Sequence, residues 1–169
     1  DEGWILPVHS VGVQGDCRSY RPALSISGHN LHARAVDLIN RIDEVNRVVA
    51  EIQTHVPISG MSVQPGTLTR DRLDRLRQAD AIVRRISQES GFDQQIWQFP
   101  VITIPLGTSE LPDSVVLRPV DSVDGMTAQS VSMETPILAK MTAELLQVPG
   151  VCGVFYDLTH KPPGTIEWE

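Results

Sequence analysis

Val151-Cys152-Gly153-Val154-Phe155-Tyr156-Asp157-Leu158 is an apolar run closing on an acid, and it can be laid over Val45-Asn46-Arg47-Val48-Val49-Ala50-Glu51-Ile52 at a constant offset of 106 residues. Apolar residues meet apolar residues at both ends, and Asp157 falls on Glu51. Short runs of this kind, rich in β-branched and aromatic types, read as buried strands. The upstream segments align too. Leu31, Ala35, Leu38, Ile39 and Ile42 recur at helical spacing behind Asn30, a residue suited to capping. Ile137, Leu138, Met141, Leu145 and Val148 do the same behind Thr135 as cap and Pro136 in the first turn. Strand-like runs at 5–13 and 23–27 precede the first helix, and runs at 97–106 and 114–120 precede the second. Strand, strand, helix, strand thus occurs twice. The duplication predicts an α+β fold of two duplicated two-layer α/β subdomains, each a largely antiparallel sheet with helices on one face.

Between the two units, Pro57, Gly60, Pro65 and Gly66 mark a loop. Leu68, Leu73, Leu76, Ala79, Val83 and Ile86 then form the apolar stripe of a long helix that ends near Ser90 and is stopped by Gly91. Its other face alternates Arg70, Arg72, Arg75, Arg77, Arg84 and Arg85 with Asp71, Asp74 and Asp80, the pattern of a solvated face. The expected division is a first half at 1–56, a connecting loop and helix at 57–93, and a second half with a C-terminal tail at 94–169.

The 169 residues, 41% hydrophobic and 21% charged, suffice for a globular core. A formal net charge of −7 argues against general nucleic-acid binding, which needs clustered cations. No apolar run reaches the length of a membrane span and no signal-peptide pattern opens the chain, so the expectation is a cytoplasmic protein without membrane contact. Cys152 lies in an apolar run and is expected in the core. Cys17 stands beside Arg18, but none of the histidines at 9, 29, 32, 55 and 160 is placed to identify a base for it. Those histidines show no metal-ligand spacing either, so neither catalytic residues nor metal ligands are expected.

Two stretches remain. Lys161-Pro162-Pro163-Gly164-Thr165-Ile166-Glu167-Trp168-Glu169 combines a cation, carboxylates and an indole on a segment that the prolines are expected to stiffen and extend. Gly164 permits either a tight bend or a close backbone approach. Alone, such a tail is either a frayed terminus or a site. The second stretch, Gly12-Val13-Gln14-Gly15-Asp16-Cys17-Arg18-Ser19-Tyr20, breaks a strand at glycine into a polar turn with one acid and one arginine. Together with Asp124-Gly125-Met126-Thr127 and Tyr156-Asp157-Leu158-Thr159, these stretches resemble the C-terminal dimerisation domain of glutamine-hydrolysing GMP synthases. The likeness runs from about Trp4 to Glu169. The extra unit between the two glycine motifs resembles the long, eukaryotic-type form of that family.

The resemblance implies a homodimer whose C-terminal domain contacts xanthosine monophosphate (XMP), held mainly by an upstream ATP pyrophosphatase domain. A glutaminase domain or subunit supplies ammonia, and the whole enzyme uses ATP and Mg²⁺. This chain lacks the Ser-Gly-Gly-x-Asp-Ser pyrophosphate loop and a glutaminase Cys-His-Glu set, so it is expected to be inactive alone and to bind no cofactor itself. The XMP-contacting positions implied are Asp16, Arg18, Gln98, Lys161 and Glu167. Lys161 and Arg18 suit a phosphate as point charge and bidentate fork. Glu167 accepts hydrogen bonds from ribose or base, or orients Lys161. Asp16 does likewise or is a local capping acid, and Gln98 is a nucleotide contact or an exposed strand start. Rival readings are a plain interaction module without ligand contacts, and a free-standing enzyme using Cys17 or His9.

Overall fold

A computed structural model describes residues 2–169. Strand β1 (Gly3–Gln14) turns at Gly15-Asp16 into β2 (Cys17–Ile26), and helix α1 (Leu31–Arg41) leads to β3 (Arg47–Thr54). Gly15 has φ +64°, the left-handed conformation that a two-residue hairpin turn asks of its glycine. After β4 (Ser62–Val63) comes the long helix α2 (Arg70–Ser90), then β5 (Val101–Ile104), β6 (Leu106–Gly107) and β7 (Asp113–Leu117). A small hairpin, β8 (Val120–Asp121) and β9 (Gln129–Ser130), precedes α3 (Thr135–Leu145) and β10 (Val151–Asp157).

Six strands form one curled sheet in the order β1-β2-β3-β10-β7-β5. From either edge the order is the same: an antiparallel outer pair, a parallel neighbour reached through a helix, then the antiparallel seam between β3 and β10. The duplication is visible as two units of three strands and one helix that meet at that seam. Alternation along the strands sorts two cores. Val48, Ala50, Val154 and Tyr156 face the helices, packing with Ala35 of α1, Ala79, Val83 and Ile86 of α2, and Met141 and Leu145 of α3. Val49, Val116 and Phe155 face the other way, with Leu6, Val8 and the tail residue Trp168. Cys152 is fully buried in a strand, as expected. Among the described residues no helix is long and apolar enough to cross a membrane.

Several local expectations need correction. Asn30 precedes α1 in a left-handed conformation and its side chain makes no capping bond, while α3 starts at Thr135 with Glu134 in the cap position. The α2 boundaries agree with the sequence: Thr69 Oγ1 accepts from the Arg72 N–H at 3.3 Å, and Gly91 ends the helix at φ +75°. Its arginine face is not uniformly solvated. Arg77 and Arg84 pair on the surface with Asp74 and Asp80, but Arg72 and Arg75 both clamp Asp113, whose side chain is 1% exposed. Asp113 opens β7 beneath α2, where a carboxylate leaving water needs cations beside it. Arg75 also donates to the Pro149 carbonyl at 2.8 Å, and Arg85 reaches Glu144 of α3.

Candidate functional site

Because β10 runs antiparallel to β3 and parallel to β7, the start of β3 and the ends of β10 and β7 lie together at one end of the sheet. There Arg47, Asp157 and Arg118 meet with fully buried side chains. Arg47 Nη1 donates to Asp157 Oδ2 at 2.8 Å, and Arg118 Nη1 stands 3.4 Å from Oδ1. Two guanidiniums face one carboxylate, so the remaining donors must find other oxygens. They find them in the tail: Arg118 donates to the carbonyls of Thr165 at 3.0 Å and Ile166 at 3.2 Å, and Arg47 to that of Glu167 at 2.9 Å. Burial lowers the pKa of both arginines, that of Arg118 to about 10, with Asp157 opposing the shift. For Asp157, burial works to raise the pKa, but Arg118, Arg47 and the Thr159 bonds outweigh it and hold the carboxyl below its ordinary range.

Trp168 completes the clamp. Its indole Nε1 donates to Asp157 Oδ2 at 2.9 Å, its ring lies 5.2 Å from the Arg47 guanidinium carbon, and it is only 7% exposed. The tail is further bonded along the edge of β1, where Val13 N–H donates to Pro163 O at 2.7 Å and Val11 N–H to Trp168 O at 2.9 Å. It is therefore an ordered element rather than a frayed terminus. The extended segment expected at the prolines is instead a turn, with Gly164 N–H donating to His160 O at 3.1 Å. Gly164 serves a close approach: a Cβ there would stand 3.1 Å from Thr159 Cγ2 and 3.2 Å from Arg47 Nη1.

That turn presents Lys161 to the β8–β9 loop. The Lys161 backbone bridges Ala128, and Nζ donates to Gly125 O at 2.7 Å. The loop is internally braced, since Asp124 Oδ1 accepts from Met126 N–H at 2.9 Å and Ser122 Oγ from Gly125 N–H at 2.8 Å. On one side lies a cleft of about 500 Å³ lined by Asp121, Asp124, His160 and Lys161. A separate groove of about 460 Å³ lies against α2, lined by Asp80, Arg84, Trp97, Gln98 and Glu167. His160 Nδ1 accepts from Ser130 N–H at 3.1 Å, and His32 Nε2 lies 2.8 Å from Ser132 Oγ. Burial lowers the pKa of both histidines, with a further lowering at His32 from His160 and at His160 from Arg118.

The sequence profile of the family described as the GMP synthase C terminal domain matches residues 85–168, from within α2 to the tail. The chain belongs to that family. A probable glutamine-hydrolyzing GMP synthase of Leptospira interrogans serovar copenhageni is 39% identical over 173 residues, covering 99% of this chain and 29% of the relative. A GMP synthase of Nitratidesulfovibrio vulgaris strain DP4 is 35% identical over 191 residues, covering 99% of this chain and 37% of the relative. One of Aeropyrum pernix is 39% identical over 123 residues, covering 68% and 24%. The chain thus spans roughly a quarter to under two fifths of the length of these curated relatives.

In this GMP synthase C-terminal domain, the positions singled out from sequence fall into three places. Lys161 lines the cleft, while Gln98 and Glu167 line the groove against α2, and both of the latter are exposed. Asp16 and Arg18 are exposed at the β1–β2 turn, with Arg18 opposite Val13, the residue that donates to Pro163. No single cavity is lined by all five. Sequence reasoning missed Arg47, Arg118 and Asp157, which hold the tail. Their signal was a charge inside or closing an apolar run, as in Val115-Val116-Leu117-Arg118, since full burial of an arginine or aspartate requires a partner.

Proposed function

We propose that this chain is the C-terminal domain of a glutamine-hydrolysing GMP synthase, where it dimerises the enzyme and supplies side chains that hold XMP during amination to GMP. The reading rests above all on Lys161, a cation fixed on a turn, pointed at the β8–β9 loop and backed by a buried clamp. A phosphate arriving there meets the ammonium without reordering the tail, so little conformational entropy is lost on binding. Gln98 and Glu167 hold the nucleoside end, and Asp16 and Arg18 close the site from the hairpin.

Upstream domains supply the rest. They take ATP and Mg²⁺ to activate the purine C2 oxygen and deliver ammonia from glutamine, so the chain alone is inactive. No group of three or more His, Cys, Asp or Glu side chains arranged for a metal occurs among the described residues. Calorimetric titration of XMP into the full-length synthetase and into a form lacking this chain tests the reading. Loss of XMP affinity with retained ATP binding is expected. Unchanged XMP affinity would reduce the chain to an interaction module. Light scattering at tens of micromolar, where a standard interface is occupied, should report a dimer.

A further inference from the structure

We infer that Trp97 is the aromatic platform on which the purine ring of the nucleotide stacks; this rests on the reading of the chain as an XMP-holding domain. Trp97 precedes Gln98, and its backbone is fixed, its N–H donating to Val120 O at 2.9 Å while Gln98 bridges Val120. The side chain is nevertheless 45% exposed and lines the groove with Gln98 and Glu167. A tryptophan left that open on a braced backbone offers a flat apolar face without an ordering cost. Its ring edge is set by Gly125: a Cβ on that residue would stand 3.2 Å from Cη2, and Gly125, at φ +73°, is the residue whose carbonyl takes the Lys161 ammonium. One glycine therefore spaces the aromatic face from the cation.

The groove suits the base chemically. Asp80 is already paired with Arg84, which lines the same groove, but Asp93 and Glu167, together with the Gln98 amide oxygen, are acceptors for the ring N–H groups of a dioxopurine. The phosphate then lies toward Lys161. Stacking on a side chain is sequence-tolerant and strong enough to be read by truncation.

The test is steady-state kinetics of the full-length synthetase carrying Trp97→Ala, Trp97→Phe and, in parallel, Lys161→Ala. Trp97→Ala should raise KM for XMP roughly five- to hundredfold, the effect of losing one base–aromatic stack, with KM for ATP and glutamine within about twofold. Trp97→Phe should restore KM for XMP to within about threefold of the parent. A raised KM for Lys161→Ala with an unaltered one for Trp97→Ala would overturn the stacking role alone. Unaltered values in both would overturn the nucleotide-holding reading itself. Equal damage from Ala and Phe across all three substrates would make Trp97 a structural residue and also overturn the inference.

Discussion

Asp157 is the residue on which the tail depends, because two buried guanidiniums and an indole converge on its two oxygens. Asp157→Asn keeps the shape and removes the charge, leaving Arg47 and Arg118 without a counter-ion. Breaking a buried pair in this way costs about 3–5 kcal/mol, which urea unfolding should register as a lowered midpoint. The histidines carry a separate pH dependence. Since the folded state lowers the pKa of His32 and His160, mainly by burial, the unfolded chain binds protons first as pH falls. Their contribution to stability is complete above the ordinary histidine pKa near 6.5 and is lost as pH falls toward the lowered folded values. Melting temperature should therefore drop between about pH 7 and 5, and His32→Gln should flatten that drop. Asp157, held low in the fold, adds its own loss only in the acid range below the ordinary carboxylate pKa near 4.

At the scale of elements, the strands and helices that bury an apolar face were readable, and those that exist through distant partners were not. The run at 151–158 became β10 nearly residue for residue, and Thr69 and Gly91 bound α2 as their chemistry dictates. The two-residue strands β8 and β9 carry no periodicity, yet they frame the loop that Lys161 meets. The arginines of α2 illustrate the limit. Their spacing to aspartates on the same helix was satisfied for Arg77 and Arg84, whereas Arg72 and Arg75 were drawn to Asp113, a partner about forty residues away in sequence that spacing within a helix cannot reveal. Asp113→Asn should therefore destabilise the fold by about 1.5–3 kcal/mol, the worth of a charge-assisted bond. Asp74→Asn, on the exposed face, should stay within about 0.5 kcal/mol. Thermal unfolding of the two variants compares them directly.

For the molecule as a whole, the duplication was legible in part because it repeats an apolar pattern, although α1 and α3, and the starts of β3 and β10, recur 104 rather than 106 residues apart, and the family was legible in its glycine turns and terminal motif. That both units share one sheet was not, since an offset says nothing about which strand edges pair. The seam between β3 and β10 has a structural consequence: Arg47 comes from the first unit, yet it holds the tail of the second, so both units fix the tail that carries Lys161. Kinetics of Lys161→Ala in the full-length synthetase test this account most directly. Loss of one charge-assisted hydrogen bond, about 1.5–3 kcal/mol, predicts a roughly ten- to hundredfold rise in KM for XMP, with KM for ATP and glutamine nearly unchanged. An unaltered KM for XMP accompanied by loss of the proposed dimer in light scattering would contradict it and make the tail an interface element.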